Sequence, residues 1–370
     1  MVSPKTRAVV WARGAGRCYF CNTPLIGDYI SGNEDPNFGF VAHIVAEKAT
    51  GPRGDAVRSL LLADEPSNLM LMCYPHHKLI DVDRVDDYPE QLLLDMKAAH
   101  EDRIRIVTDI LADRSSHVLR YGAKIGNHTS PASFSRVRTA MLPKRYPAGG
   151  TSIGIELIGN VMTDAEDVFW SVEPDNLRRR FEKSVAECIA SREISHLSVF
   201  ALAPIPLLIL LGSMLGDITP ADVYQLHREP AGWSWAEDGP RIECETTKPS
   251  AINDVVALKL GISATITDDR ITAVLGPDVS IWSLTAKNPN NDIMRHAEDL
   301  REFRRIIRKL FDDIKAAHGQ DASIHLFPAI PVSCAVELAR VRMPKADLPL
   351  LVYDQVWGAG FAHRLTIGKA

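Results

Sequence analysis

Two short ligand pairs constrain this 370-residue chain more than any other feature. "CYFC" sets Cys18 and Cys21 two residues apart, and "CYPH" repeats that spacing with Cys73 and His76 after 51 intervening residues. A Cys-x-x-Cys turn presents two thiolates to one ion, and a second pair of matched spacing completes a tetrahedral set. Cys18, Cys21, Cys73 and His76 therefore read as a Cys3His structural zinc site tying two distant segments together. A block of roughly 80 residues with much polar loop needs such a staple, because its core alone supplies little net stability.

His77 is left over by this assignment. Neighbouring residues at a helix start point in different directions, so His76 can face zinc while His77 faces elsewhere. Asp81 lies one helical turn further on the same face, and a His–carboxylate pair can hold a hard divalent ion. The swapped assignment, with His77 on zinc through a Cys-x3-His spacing, stays open. Upstream, "FVAHIVA" reads as a strand presenting His43, and Asn68 begins the strand that runs into Cys73.

His43, Asn68 and His77 in this order, with the Cys pairs around them, resemble the HNH endonuclease family and its ββα-metal fold. The resemblance implies an α+β domain and a single-metal phosphodiesterase. His43 would be the general base that activates water, and Asn68 would orient the catalytic strand and loop. His77, helped by Asp81, would carry Mg2+ or another divalent ion against the scissile phosphate. Many members have an acidic residue before the base His, where this chain has Ala42. Independently of the family, a His near neutral pKa can deprotonate water while a divalent ion stabilises charge on phosphate. The loop "EKATGPRGDAVRS" offers Lys48, Arg53 and Arg58 as contacts to DNA phosphates, or as solvated surface charges.

A long helical pattern, "YPEQLLLDMKAAHEDRIRIVTDILA", closes the first block. The stretches "GNHTSPASFSR" and "LPKRYPAGGTS" then read as linker. We expect domains at 1–113 and 151–370 with a linker over 114–150. Strand-like and helical runs alternate beyond Gly150, which favours an α/β domain with a largely parallel sheet. Within it, "VFALAPIPLLILLGSMLGDITPADVYQ" resembles "IHLFPAIPVSCAVELARVRMPKADLPLLVYDQ". Matching Pro206 to Pro331 and Tyr224 to Tyr353 suggests two duplicated Rossmann-like halves. The proline turns place helix N-termini at strand ends, which suits an anionic phosphate.

This second half resembles the SAVED domain, a fused pair of CARF-like folds, over roughly residues 150–370. HNH followed by SAVED is similar to the effector nucleases of bacterial CBASS anti-phage systems. That resemblance implies a cyclic dinucleotide as activating ligand, and assembly of a monomer or dimer into a larger homo-oligomer, plausibly a tetramer. It also implies degradation of double-stranded DNA without sequence choice, a form of antiviral defence by abortive infection. Candidate ligand contacts are Trp233 and Trp235, which can equally pack a loop on the core. Thr285, Lys287 and Asn288 at one strand end, and Phe327, Pro328 and Ala329 at the matching end of the second repeat, complete the set.

Charge is uneven: residues 1–150 carry net +2 and residues 151–370 net −7. A nucleic-acid partner therefore belongs with the first half. A modification-dependent HNH restriction enzyme with a DNA-reading C-terminal half is the main alternative, disfavoured by that acidic balance. A zinc-stapled binding module without catalysis is a third class, but it gives His43, Asn68 and His77 no reason to coexist. Six cysteines are too few for a disulfide scaffold, and "LLILLGSML" is too short to span a bilayer. "MVSPKTRAVVWARG" lacks an apolar leader core, so a cytoplasmic protein is expected.

Overall fold

The structure is a computed structural model that describes residues 2–27, 37–125, 133–155, 162–356 and 358–368. It divides into two compact units, 1–112 and 113–370.

The first unit begins with helix α1 (Pro4–Arg13), whose entry is capped by Ser3 Oγ accepting from Thr6 N at 3.2 Å. Strand β1 (Gly39–His43), helix α2 (Arg58–Leu62), strand β2 (Leu69–Cys73), helix α3 (Tyr74–Lys78) and helix α4 (Glu90–Thr108) follow. β1 and β2 pair antiparallel, with Gly39 opposite Cys73 and His43 opposite Leu69. Leu69 to Met72 are all fully buried, an apolar run covered on both faces. α3 starts directly from Cys73 with Pro75 in its first turn, where the missing N–H costs nothing. It runs on into a wider π turn over Leu79–Asp83. Val10, Tyr19, Leu25, Ile44, Ile80 and Leu93 close the core around β2.

The second unit holds two sheets of the same strand order. The first contains β3 (Ser115–Gly122), β4 (Tyr146–Pro147) and β5 (Ile153–Gly154), with helix α5 (Phe134–Met141) between β3 and β4. Helix α6 (Asp167–Phe181), a π turn and short helix α7 (Glu187–Ala190) lead to β6 (Leu197–Leu202), helix α8 (Ile205–Leu215) and β7 (Ala221–Val223). A small hairpin, β8 (His227–Arg228) and β9 (Ala231–Gly232), links to the second sheet. That sheet has β10 (Cys244–Thr247), β11 (Val255–Gly261), helix α9 (Asp268–Leu275), β12 (Val279–Ala286) and helix α10 (Ala297–His318). It ends with β13 (Ile324–Ala329), helix α11 (Val332–Val341), β14 (Leu350–Val356) and β15 (Gly360–Ile367).

In the first sheet β3 lies between β4/β5 and β6, with β7 beyond; in the second β11 lies between β12 and β13, with β14 beyond. All these pairings are parallel, and antiparallel β10 and β15 extend only the second sheet. The duplication therefore begins at β3. This corrects the linker over 114–150: its Gly/Pro/Ser-rich segments, 126–136 and 142–152, both follow a largely buried strand, β3, that opens the second unit. Among its described residues the proposed strand "SIGIELIGNV" pairs with β3 through Ile153–Gly154, and residues 156–161 lie outside the described residues.

The repeat alignment shifts as well. Pro204 and Pro331, not Pro206 and Pro331, occupy the N-caps of α8 and α11. The same offset of 127 pairs Phe200 with Phe327. Phe200 stacks on Tyr224 with centroids 4.4 Å apart and planes at 16°, and Phe327 stacks on Tyr353 at 4.6 Å and 17°. α8 is apolar all round, as an enclosed helix must be, and it packs against α11. Gly212 permits this approach: a Cβ there would sit 2.0 Å from the Val336 carbonyl oxygen. α8 also touches β14 and β15 while α11 touches β6 and β7, so the two halves share one interlocked core.

Candidate functional site

The Cys18–Cys21 turn closes with Asn22 in the left-handed region (φ 59°), donating its N–H to Cys18 O at 2.8 Å. Asn accepts this conformation more readily than most residues. Tyr19 N donates to Leu71 O at 2.9 Å, which fastens the turn to β2 and brings it to the strand that ends in Cys73. The ligand atoms of Cys18, Cys21, Cys73 and His76 all lie within 4.8 Å of one another. Cys21 and Cys73 sulfurs are 4.0 Å apart, and Cys73 Sγ is 3.0 Å from His76 Nδ1. The S–S separation is close to the edge of a tetrahedron with ~2.3 Å metal–sulfur bonds. Phe20 stacks on the His76 ring at 4.1 Å, holding its orientation. Burial pushes the Cys73 thiol up to about 12, and charge on neighbouring Cys18 adds to the shift. Against its partial burial, hydrogen bonds, those of Thr23 foremost, lower the neighbouring Cys21 thiol, and a shared cation would favour the thiolate form of each sulfur. The donor set, spacing and electrostatics fit a structural zinc ion held by these four residues.

The second histidine goes elsewhere. His77 Nε2 lies 3.1 Å from Asp81 Oδ2, and Asp81 Oδ1 lies 2.5 Å from Arg53 Nη2. A carboxylate accepts, so His77 presents a proton on Nε2 to Asp81. Phe40 of β1 stacks on His77 at 5.3 Å, joining α3 to that strand. Among the described residues no third Cys, His, Asp or Glu joins His77 and Asp81 closely enough to share an ion.

Arg53 is the residue that sequence reasoning misplaced. Its side chain is only 8% exposed. It donates to Ile44 O at 2.7 Å, Ile80 O at 2.9 Å and Asp81. With every nitrogen engaged inside the unit, Arg53 clamps the loop after β1 to the turn carrying Asp81 instead of offering itself to phosphate. Arg58 pairs with Glu90 through both guanidinium nitrogens. Lys48 stands exposed on the same loop.

His43 ends β1 opposite Leu69. Its Nε2 lies 3.0 Å from Ala63 O. A carbonyl cannot donate, so Nε2 carries a proton and donates to it. Asn68 is buried beside it: Oδ1 accepts from Val45 N at 2.8 Å, while Nδ2 donates to Val45 O at 2.8 Å and Leu62 O at 3.2 Å. Asn68 O also accepts from Ile44 N at 2.8 Å. Asn68 thus fixes the two residues that follow His43. Ala42 is 2% exposed and contributes no ligand.

In the second unit the expected contacts scatter. Phe327 is fully buried and Trp233 is 5% exposed, packed edge-to-face on Phe200, so neither presents a stacking surface. Pro328 is buried too, whereas Trp235, Thr285 and Ala329 are half-buried. Lys287 and Asn288 are exposed, with Lys287 paired to Glu243. The α11 N-terminus is not open to phosphate: Gln225 Oε1 accepts from Ser333 N at 3.1 Å and Ser333 Oγ at 2.7 Å. Period-2 and helix-start signals find strand ends, but they cannot say which end residues turn into the core.

A Cys/His-gathered ββα unit joined to a duplicated α/β domain defines a two-part chain, a small module ahead of a Rossmann-like pair. The chain belongs to the SAVED family, described as the SMODS-associated and fused to various effectors sensor domain, whose profile matches residues 177–367. The match begins within α6, so β3 to β5 precede it. No curated relative matches the chain. Among solved structures, similarity is found to the Acinetobacter baumannii Cap4 SAVED/CARF-domain containing receptor. Its form with the cyclic trinucleotide 2'3'3'-cAAA is 11% identical (TM-score 0.42), over 75% of this chain and 55% of that one. With 3'3'3'-cAAA the values are 11%, 0.43, 83% and 59%. The Moraxella osloensis Cap4 receptor follows at 9% and 0.36, over 75% and 58%. The chain spans less than two thirds of each of these chains. Among the described residues no helix is long and apolar enough to cross a membrane.

Proposed function

We propose that this chain is a ligand-activated anti-phage effector: its SAVED domain senses a cyclic oligonucleotide, and its N-terminal unit is a metal-dependent HNH-type endonuclease of double-stranded DNA. One observation supports the nuclease half: the ββα unit fixes two imidazoles through Nε2, His43 on Ala63 O and His77 on Asp81, beside a separate Cys3His group. His43, its Nε2–H bound to Ala63 O, would take the proton from the attacking water through Nδ1. Asn68 would hold His43 in place through the Val45 clamp. A divalent ion, Mg2+ or another, would supply positive charge at the scissile phosphate. Asp81 orients His77 for that ion, as a carboxylate does behind a metal-bound imidazole, and so its role changes from ligand to positioning residue. Lys48 is the loop cation left for the DNA backbone. The family description, a sensor fused to various effectors, suits a chain with a separate unit at residues 1–112.

The reading is tested by incubating the purified chain with plasmid and Mg2+, with a panel of cyclic di- and trinucleotides. Cleavage only with one cyclic nucleotide, abolished by His43→Ala, is the expected result. Cutting of modified DNA without any nucleotide selects a restriction enzyme instead. Light scattering in the same samples reports whether the ligand shifts a monomer or dimer to a larger oligomer, expected to be a tetramer. Association would raise the weak DNA affinity of a nuclease half with little net charge.

A further inference from the structure

Charge is divided more sharply inside the first unit than between the halves of the chain. Residues 1–112 carry 12 Lys/Arg against 16 Asp/Glu, net −4. Residues 1–27 nevertheless hold Lys5, Arg7, Arg13 and Arg17 and not one acid, net +4, which leaves residues 28–112 at net −8. In a unit that repels polyanions as a whole, this acid-free segment is where the local field attracts one.

The fold turns the segment outward. Lys5, Arg7 and Arg13 are exposed on α1, whose buried residues are Thr6 and Val10. Among the described residues none of the three forms a side-chain hydrogen bond or an ion pair. Elsewhere in the unit Arg58, Lys78, Arg84 and Arg105 are each paired with an acid. Arg17 and Arg103 converge instead on one neutral residue. Arg17 Nη1 donates to Asn22 O at 3.0 Å, and Arg103 Nη2 donates to Asn22 Oδ1 at 2.8 Å. Neither guanidinium has a buried nitrogen lacking a partner, so the remaining N–H groups of both face solvent. Such a fork of free donors matches phosphate oxygens.

The helix itself does not account for these cations. Lys5 and Arg7 stand in the first turn of α1, which holds no acid, and the helix dipole there favours acids. The same turn is fastened beside the proposed cleavage centre. Asp64 Oδ1 accepts from Ser3 N at 2.7 Å and Asp64 O from Thr6 Oγ1 at 3.1 Å. The residue before it, Ala63, holds His43. From Lys5 to Arg13 the helix rises about 12 Å, which covers about three to four nucleotide steps along one strand.

We infer that α1, with Arg17 and Arg103 beyond its end, is a backbone track: its five cations bind successive phosphates of a double-stranded DNA substrate and lead one strand to His43. The inference rests on the endonuclease reading proposed above and adds the surface by which an acidic unit holds its substrate.

The test is the salt dependence of DNA binding. Anisotropy of a fluorescent DNA duplex is measured with the full chain and no added Mg2+, over about 50–200 mM salt. Each titration is run alone and with every member of the panel of cyclic di- and trinucleotides. A lost phosphate contact lowers the slope of log affinity against log salt by about 0.9. The triple variant Lys5→Gln, Arg7→Gln, Arg13→Gln is expected to lower it by about 2.7, with zinc content and melting unchanged. Arg17→Gln with Arg103→Gln should lower it by about 1.8, and Arg17→Lys with Arg103→Lys should restore it. Should the Gln pair loosen the zinc turn, the α1 triple decides, since its side chains hold nothing in place. An unchanged slope in that triple, while duplex is still bound, overturns the track and leaves the endonuclease reading standing. If the wild-type chain binds no duplex with any nucleotide, the endonuclease reading fails and the track with it. Poly-L-glutamate serves as the second polyanion. If the triple loses poly-L-glutamate but keeps the duplex, the surface takes an acidic protein and the track is overturned.

Discussion

Replacing Asn68 by Ala separates a positioning role from a merely packed one. The substitution removes three side-chain hydrogen bonds, at 2.8, 2.8 and 3.2 Å, to Val45 and Leu62. Val45 is 1% exposed, so its N–H is left without water to replace the lost acceptor. Three bonds averaging about 1 kcal/mol each sum to about 2–4 kcal/mol. The backbone bond from Ile44 N to Asn68 O remains, so β1 and β2 should stay paired while the loop after His43 opens. Hydrogen-exchange mass spectrometry on the full chain reads this locally. Peptides spanning residues 39–73 should exchange about 30- to 1,000-fold faster, since each 1.4 kcal/mol is tenfold. Peptides from residues 113–370 serve as the internal control and should not change. Nucleotide-triggered cleavage should fall with zinc content intact. Acceleration of less than about 5-fold would refute the clamp. Normal cleavage with a loosened loop would refute its link to His43.

The neighbouring histidines should part company. His76→Ala is expected to lose zinc and unfold the first unit, because structural zinc supplies about 10–16 kcal/mol of apparent binding energy in small domains. His77→Ala should keep zinc, measured by atomic emission, and lose cleavage. Zinc loss in His77→Ala alone would reverse the two roles. Arg53→Ala should destabilise the first unit by about 3–5 kcal/mol, the cost of leaving Asp81 and two carbonyls without their buried partner. Lys48→Ala should leave melting unchanged and reduce the salt slope of DNA binding by about 1. His196 provides a pH test in the second unit. Burial, then the nearby Arg145, lowers its pKa from the usual 6.5 to about 4. A depressed histidine contributes stability above pH 6.5 that is lost as pH falls toward 4, because only the unfolded chain takes the proton. The loss should approach about 3 kcal/mol, and His196→Gln should flatten it in urea titrations. An unchanged slope would show that His196 protonates without cost.

What the sequence determined by itself is whatever rests on short spacing. A two-residue gap between ligands implies a turn whatever surrounds it, so "CYFC" and "CYPH" single out four donors that the structure gathers within 4.8 Å. Helical period and strand alternation are equally local, and β6, α4 and β13 stand where those patterns lie. The repeated proline turns pointed to the duplication, although the aligned proline is Pro204, because the cap position is set by where each strand stops. Tertiary structure alone decided the remainder. β3 could not be read from residues 114–150, since its worth comes from pairing with β6, about 80 residues away. Arg53 looked like a loop cation, and only the fold around it shows that Ile44, Ile80 and Asp81 use up its donors. Phe327 and Trp233 lie near strand ends yet face inward. A side chain's chemistry is written in its residue type. Whether that chemistry is spent inside the protein or left available depends on partners brought from far along the chain, and only packing settles it.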